Sequence, residues 1–175
     1  MPILPETFKR RLFWIIARVC FTGYHWFPIF GPLRASIAIV HRDGKFLVIQ
    51  RNDGRGLSLP GGIASWRESE ILTLRREVLE ETGMRVTAEV FRLRYFSRAD
   101  VPCNISVFEA TACGDLKMSW EGTPHWMTVA EIEPKLLESQ RPVLDLLREI
   151  SSRQQAGGAE AETVDPQKSS PGNKK

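Results

Sequence analysis

Residues 74–83, LRREVLEETG, decide the fold, because charged and apolar side chains follow each other there with helical spacing. On a helix with about 100° per residue, the glutamates of this stretch share one arc of about 100°; they are Glu77, Glu80 and Glu81. The apolar residues of 69–82 fall in a separate arc of about 160°, and we expect them to face the core; they are Ile71, Leu72, Leu74, Val78 and Leu79. The stretch therefore predicts a helix with an acidic face and an apolar face.

The acidic face has two interpretations. Side chains three or four positions apart on a helix lie about 5–6 Å from each other, so each ionised pair repels by roughly 3 kcal/mol at an effective dielectric of about 20. A divalent cation would relieve this repulsion, and a ligand set of oxygen atoms suits Mg²⁺ or Mn²⁺. Alternatively, solvent and the neighbouring Arg75 and Arg76 screen the carboxylates on an ordinary surface. The helix alone leaves both interpretations open.

The loop before the helix favours the metal. Residues 58–62, SLPGG, place two glycines ahead of the helix, where the backbone can approach a ligand closely. From Gly62 the chain runs through Glu68 to Arg76-Glu77-Val78-Leu79-Glu80-Glu81-Thr82-Gly83-Met84. The segment 62–84 resembles the Nudix box, G-x5-E-x7-R-E-U-x-E-E-x-G-U, in which U is a bulky aliphatic residue, and it matches the box at every fixed position.

The resemblance to Nudix hydrolases implies a loop–helix–loop that binds Mg²⁺ or Mn²⁺ and cleaves a pyrophosphate linked to another group, usually a nucleoside. It implies metal ligands at Glu77, Glu80 and Glu81 and at a backbone carbonyl of Gly61 or Gly62, with Glu80 and Glu81 also catalytic. It further implies that Arg76 and Glu68 form an ion pair that fixes the loop to the helix.

Two caps compete for the start of the helix. Ser65-Trp66-Arg67-Glu68 has the pattern of a capping box, whereas the family pattern places the cap at Ser69 and leaves Glu68 in the loop. Three positions depart from the common family form: Ser65 stands where Glu is frequent, Arg67 where Gly is usual, and Leu57 where Trp is frequent. We expect Arg67 to change the shape of the loop.

A second similarity lies beyond the box. Residues 120–127, WEGTPHWM, are similar to the Glu-Gly-x-Pro…Trp-Met stretch of Nudix enzymes that hydrolyse nucleoside triphosphates, including oxidised ones. This similarity implies that Glu121 is a further metal ligand or a general base. The alternative is that Glu121 is an ordinary loop acid, and we expect Trp126 and Met127 to pack in the core.

The fold class predicted for the chain is α+β, with the Nudix α/β/α sandwich around a mixed central sheet. Loops are expected at 52–62 and 113–124. A terminal helix is expected at 141–152, with Pro142 in its first turn. Arg42-Asp43-Gly44 predicts a hairpin turn, and strands are expected at 35–41, 45–51, 84–97, 104–112 and 125–129.

Three segments divide the chain. Residues 1–33 are predicted to be an N-terminal amphipathic extension with a helix at 8–21, and residues 34–152 the Nudix hydrolase domain. Residues 153–175 have few large apolar side chains and are predicted to be disordered. The extension's basic face also carries aromatic residues, so its helix either packs on the domain or lies on anionic lipid.

Composition excludes several classes. A net charge of +3 over 175 residues is too small to indicate nucleic-acid binding. The cysteines, Cys20, Cys103 and Cys113, form no CxxC pair, so we expect buried thiols in a reducing compartment rather than a disulfide framework or a zinc site. No apolar run approaches the roughly 20 residues that span a membrane, and the cytoplasm is the expected location.

The leading hypothesis is a Mg²⁺-dependent pyrophosphohydrolase acting on a nucleoside triphosphate or on a nucleoside diphosphate-linked metabolite. The alternatives are a non-catalytic, nucleotide-sensing Nudix module and a membrane-surface enzyme acting on a lipid-linked diphosphate. A small nucleotide is the expected partner, with peripheral membrane contact through residues 8–31 as a further hypothesis. The sequence leaves the leaving group and the oligomeric state open.

Overall fold

The computed structural model describes Gly23 and residues 31–161, with side chains through residue 156. The predicted helix at 8–21 and residues 162–175 therefore lie outside the described part of the chain. The strands are β1 (Leu33–Arg42), β2 (Lys45–Arg51), β3 (Leu57–Ser58), β4 (Gly61–Ile63), β5 (Arg85–Ser97), β6 (Cys103–Cys113) and β7 (Gly122–Met127). The α-helices are α1 (Glu70–Thr82), α2 (Val129–Ile132) and α3 (Leu144–Ala161), with 3₁₀ turns at Glu133–Lys135 and Glu138–Val143.

The strands form one mixed sheet with the order β3-β2-β1-β6-β5, and β4 pairs with β1 while β7 pairs with β2. The long central strands β1 and β6 run parallel, whereas β1 and β2 form an antiparallel hairpin in which Arg42 pairs with Lys45. Asp43 and Gly44 both have positive φ angles, of 50° and 73°, as a two-residue type I′ turn requires. The predicted hairpin is confirmed.

Helices cover both faces of the sheet. On one face Ile39 and Phe46 pack in a core with Leu147 of α3. On the other face Val40 packs in a second core with Leu74 of α1. Apolar residues that alternate along β1 thus pack in two separate cores, one on each face of the sheet. The predicted sandwich with a mixed central sheet is confirmed.

The apolar face of α1 is narrower than predicted. Leu74 and Val78 are fully buried, but the buried side of the helix also holds Glu81, which turns inward to the start of β4. The sheet and this strand cover only part of the helix, so the predicted core position is wrong for the remaining apolar residues, Ile71, Leu72 and Leu79, which are exposed.

The ends of α1 settle the capping question. Ser69 is the N-cap and accepts the N–H of Leu72, while Gly83 ends the helix with a left-handed φ of 75°. Glu68 stays in the loop, where its carboxylate accepts the N–H of Ser65 at 2.9 Å. The family pattern for the cap is therefore the correct alternative, and the Ser65–Glu68 contact closes a turn in the loop.

Several boundaries differ from the predictions. β3 lies within the predicted loop 52–62 and β4 begins in it, at Gly61, while β7 begins at Gly122, inside the predicted loop 113–124. β4 and β7 form by pairing with segments that are distant in sequence, β1 and β2 respectively, whereas β3 pairs with the nearby end of β2. Pro142 lies in a 3₁₀ turn that precedes α3, rather than in the first turn of α3 itself.

The terminal helix is longer than predicted, since α3 continues to Ala161. Its end is attached to the sheet: the amide of Gln154 hydrogen-bonds Nδ1 of His41 at 2.7 Å, and Arg153 pairs with Glu109 at 3.4 Å. The prediction of disorder from residue 153 is therefore wrong up to residue 161.

The two described cysteines differ in their surroundings. Cys103 is buried, and burial raises the pKa of its thiol to about 11. Cys113 is exposed, because it lies at the end of β6, so the prediction of a buried thiol is wrong for this residue. None of the helices in the described range has the length and apolar character needed to cross a membrane.

Candidate active site

Glu81 is the most buried acid of the box, with only 4% of its surface exposed. Its carboxylate accepts the N–H of Gly61 at 2.8 Å, so the helix reaches the first residue of β4. Burial raises the pKa of Glu81 well above its usual range, and the charges of Glu121 and Glu77 add to the effect, whereas the Gly61 N–H opposes it. The carboxyl group is therefore held in a place that disfavours its ionised form.

Glu77 lies directly against Gly62. A Cβ atom at Gly62 would lie 2.4 Å from Oε1 of Glu77, so only glycine leaves room for this carboxylate. Burial raises the pKa of Glu77, and the charges of Glu121 and Glu80 act in the same direction, while the adjacent Arg76 opposes them. Gly62 thus permits Glu77 to approach the backbone of β4, while a Cβ atom at Gly61 would collide with β1.

Glu80 has a different position. Its side chain is 60% exposed and accepts a hydrogen bond from Nη1 of Arg76 at 3.2 Å. The same nitrogen donates to Glu77 at 2.8 Å. The structure therefore places Glu80 at the edge of the acidic group, joined to it through a shared guanidinium.

Arg76 and Glu68 form a two-point ion pair, with Nε to Oε1 at 3.0 Å and Nη2 to Oε2 at 2.9 Å. These hydrogen bonds are the main cause that lowers the pKa of Glu68 to about 2. Thr73 also donates to the Glu68 carboxylate, at 3.0 Å. The loop after β4 is in this way attached to α1.

Glu121 reaches the same group from a distant part of the chain. β7 pairs with β2 so that Gly122 lies opposite Arg51, and the Glu121 carbonyl accepts the N–H of Asn52 at 2.9 Å. The side chain of Asn52 donates to the Trp120 carbonyl at 3.0 Å. These contacts position Glu121 so that its charge acts on both Glu77 and Glu81.

Sequence reasoning did not identify Arg51 and Asp53, which lie beside the acids. Asp53 binds the Arg51 guanidinium through both oxygens, at 2.7–3.1 Å. Burial acts to lower the pKa of Arg51, but Asp53 and the charges of Glu121 and Glu81 outweigh it, and the pKa is raised. Arg51 ends the predicted strand 45–51 and Asp53 lies in the predicted loop 52–62, and neither pattern indicates a cation next to the acids.

The donor set suits a hard divalent cation. Carboxylates from Glu77, Glu81 and Glu121 interact electrostatically beside a backbone that glycine leaves open, and oxygen ligands of this kind suit Mg²⁺ or Mn²⁺. In residues 31–161 no three His, Cys, Asp or Glu side chains stand in a ready metal-binding arrangement. Instead, Arg76 donates hydrogen bonds to the carboxylates of Glu77 and Glu80.

The chain thus combines a mixed sheet between helices with an acidic helix that is fixed against the Gly-Gly strand β4. The chain belongs to the Nudix family, because the model of the NUDIX domain matches residues 32–147. It is accordingly a Nudix hydrolase, a family whose members generally use divalent metal ions and act on small nucleotide substrates.

Similar proteins agree with this assignment. A "MutT-like protein" of Streptomyces ambofaciens is 31% identical over 113 residues, which cover 63% of this chain and 73% of the relative. The E. coli ORF135 protein has a similar fold, with a TM-score of 0.62 and 22% identity over 74% of this chain and 97% of that one. The MutT protein of Bacillus halodurans gives a TM-score of 0.56 and 24% identity over 66% and 82% of the two chains.

Proposed function

We propose that this chain is a Mg²⁺-dependent pyrophosphohydrolase, with Mn²⁺ as the alternative ion, that cleaves the diphosphate of a nucleoside triphosphate or of a nucleoside diphosphate-linked metabolite. The observation that carries the proposal is the convergence of acids from two distant segments, Glu77 and Glu81 from α1 and Glu121 from the loop before β7. Burial and like charge both oppose the ionisation of such a group, and a cation would reverse this. Membership in the Nudix family, whose members act on small-molecule nucleotide substrates, supports a nucleotide substrate.

The proposed ligands of the ion are the carboxylates of Glu77, Glu80 and Glu81 and the carbonyl of Gly61, with Glu121 as a further ligand or as the general base. When bound, the ion supplies charge neutralisation of the diphosphate and a lower pKa for the attacking water. Glu80, Glu81 and Glu121 are the proposed catalytic residues.

Glu121 is the best candidate to accept the proton of that water, because it lies on the loop before β7 and not on α1 with the other carboxylates proposed as ligands. Its alternative role is that of an additional ligand. In either role it needs the position that Asn52 gives to its backbone.

A second candidate function is nucleotide sensing without turnover. The intact acidic group argues against it, because a binding module gains nothing from carboxylates that repel each other and resist ionisation. The cytoplasm stays the expected location of the proposed enzyme.

The test is a panel of nucleoside triphosphates, nucleoside diphosphate sugars and dinucleotides, assayed for released phosphate or pyrophosphate with Mg²⁺, with Mn²⁺ and with a chelator. We expect metal-dependent release from at least one substrate class. Binding of nucleotides without any release would instead favour the sensing module.

Glu80→Gln keeps the shape of the side chain and removes its charge. Folding should survive, since Glu80 is largely exposed, while turnover should fall by orders of magnitude. Glu138→Gln is the matched control, because Glu138 is also exposed and paired with an arginine on a helical turn. A Glu80→Gln enzyme with wild-type turnover at saturating Mg²⁺ would contradict the proposed role of this residue.

A further inference from the structure

The end of the domain at which residues 1–30 join β1 has an unusual surface. Leu33 pairs with Cys103, and its N–H donates to the Pro102 carbonyl at 2.9 Å. Ala35 of β1 lies level with Ile63 of β4. The loop that follows β4 and the turn that follows β5 therefore lie at this same end of the sheet, which we term the entry end.

Large apolar side chains are exposed at the entry end. Trp66, in the loop after β4, is 85% exposed, and Phe96, near the end of β5, is 50% exposed. Ile71 and Leu72 in the first turn of α1 are exposed as well. Single exposed apolar residues are common, but aromatic and aliphatic residues gathered at one end indicate a contact surface.

Three arginines accompany these residues: Arg34, Arg67 and Arg98 are all exposed. Arg34 and Phe96 both pair with Asn104, so they lie two strand spacings apart, about 10 Å. The guanidinium of Arg34 donates to the carbonyl of Glu68 at 3.0 Å, which brings it to the loop that carries Trp66.

Among the described side chains, no carboxylate neutralises the positive charge of this end. Within residues 31–156, Arg34, Arg67 and Arg98 form no salt bridge. The nearby carboxylates are already paired with other arginines: Glu68 with Arg76, Glu70 with Arg94, and Asp100 with Arg55.

The backbone conformation of Arg67 is a separate observation at this end. Its φ is 60°, a left-handed conformation that glycine adopts at a lower steric cost than other residues. The turn is closed by a hydrogen bond from the Glu68 N–H to the Ser65 carbonyl at 3.0 Å, which a glycine would also permit. The backbone conformation at position 67 therefore does not require an arginine. The exposed guanidinium of Arg67 is the feature that a glycine would lack.

The segment that joins the domain at this end has the same chemistry. Among residues 1–30 the basic residues are Lys9, Arg10, Arg11 and Arg18, against a single acid, Glu6. The same residues include two of the five tryptophans of the chain, Trp14 and Trp26. Basic and aromatic residues are therefore continuous in sequence with the entry end.

We infer that the entry-end surface, formed by Trp66, Phe96, Ile71, Leu72 and the arginines 34, 67 and 98, docks on an anionic phospholipid bilayer. Tryptophan and phenylalanine partition into the interfacial region of a bilayer, and arginines without a carboxylate partner attract the negative leaflet. Arginine also keeps its aliphatic stem among apolar groups while its charge stays at the headgroups. This inference does not depend on the proposed hydrolysis.

The test is sedimentation of the full chain with vesicles of phosphatidylcholine alone or with 30% phosphatidylglycerol. We expect binding to the anionic vesicles only, weakened by salt. The triple change of Arg34, Arg67 and Arg98 to Gln should lower the affinity about 100-fold, at about fivefold for each arginine. The matched control changes Arg42, Lys45 and Arg85 to Gln, which removes the same charge from exposed positions at the opposite end of the sheet, and it should stay within about tenfold of wild type.

Trp66 gives a second readout. The difference in fluorescence between wild type and Trp66→Phe isolates the emission of this one tryptophan, and we expect it to shift to shorter wavelength with anionic vesicles. Trp66 is almost fully exposed, so the substitution leaves folding intact.

Four results would overturn the inference. They are no binding of the wild-type chain to anionic vesicles, equal losses in the two triple variants, an unchanged Trp66 emission, and tighter binding to a single-stranded RNA of 20 nucleotides than to the vesicles. Equal losses would mean that net charge alone governs binding, and RNA binding would assign the surface to another class of partner.

Discussion

At the scale of single residues, Gly62 leaves no room for a side chain, since a Cβ atom there would collide with the Glu77 carboxylate. Gly62→Ala should therefore displace Glu77 and weaken Mg²⁺-dependent turnover, with an apparent Mg²⁺ affinity reduced on the order of tenfold or more. The fold should survive, because the clash is with the end of a flexible side chain. Turnover as a function of Mg²⁺ concentration measures the effect.

Gly54→Ala is the control for Gly62→Ala. It also introduces a methyl group at a glycine, and there the φ is +77° with open space around it, so only backbone strain is added. If both variants show the same Mg²⁺ dependence as wild type, Glu77 is not a ligand.

The proposed role of Glu121 predicts how kcat depends on pH. If this residue accepts the proton of the attacking water, Glu121→Gln should lower kcat by about 10²-fold or more. Higher pH should restore part of the activity, because hydroxide replaces the missing base. A kcat within about twofold of wild type across the pH range would reduce Glu121 to an ordinary loop acid.

At the scale of elements, the ion pair between Glu68 and Arg76 joins the loop to α1. The folded-state pKa of Glu68, about 2, is lower than its usual value. A lowered pKa adds stability that is present above about pH 4.3, the unfolded value, and is lost as pH falls through about 2. Glu68→Gln should thus reduce the free energy of unfolding at pH 7 by on the order of 1 kcal/mol, with the difference vanishing near pH 2.

Urea unfolding at pH 7, 5 and 2.5 measures this difference. Glu138→Gln again serves as the control, since its pair with Arg141 is solvent-exposed. A Glu68→Gln penalty that is the same at all three pH values would mean that packing, rather than charge, joins the loop to the helix.

Helical periodicity predicted α1, and Gly83 marked its end as a local signal, whereas the family pattern placed the N-cap at Ser69. It assigned too much of the helix to the core, since periodicity cannot tell which apolar residues a neighbouring element covers. Leu72 and Leu79 are exposed for that reason. β3 and β4 were not predicted either, because strands of two and three residues are too short to show an alternating pattern and exist only through pairing with β2 and β1.

In the candidate site too, some residues could be predicted from the sequence and others could not. The box residues were identified from a spacing that is local in the sequence, and Glu121 from a short similarity outside the box. Arg51 and Asp53 could not be identified, because their proximity to the acids depends on how β2 and β7 pair. Tertiary pairing, rather than composition, places them.

At the scale of the whole molecule, α3 is attached to the sheet by residues beyond its predicted end. Truncation after Ser152 removes the contacts of Arg153 with Glu109 and of Gln154 with His41. We expect it to lower the Tm by roughly 3–6 °C, which corresponds to about 1.5 kcal/mol in a chain of this size.

Truncation after Ala161 is the matched control, since it leaves the described helix complete and should leave the Tm unchanged. Thermal unfolding followed by circular dichroism separates the two variants. Equal Tm values for both would mean that residues 153–161 do not stabilise the domain.

The central claim is that acids from α1 and from the loop before β7 act as one metal-dependent unit. The most direct test is a double-mutant cycle on kcat, with Glu81→Gln, Glu121→Gln and their combination, measured at saturating Mg²⁺ on the best substrate of the panel. We predict that each single change lowers kcat by about 10²-fold or more and that the double variant loses little beyond the worse single one, because residues that act as a unit are not additive. Independent, multiplicative losses, or a Glu121→Gln enzyme as active as wild type, would contradict the claim.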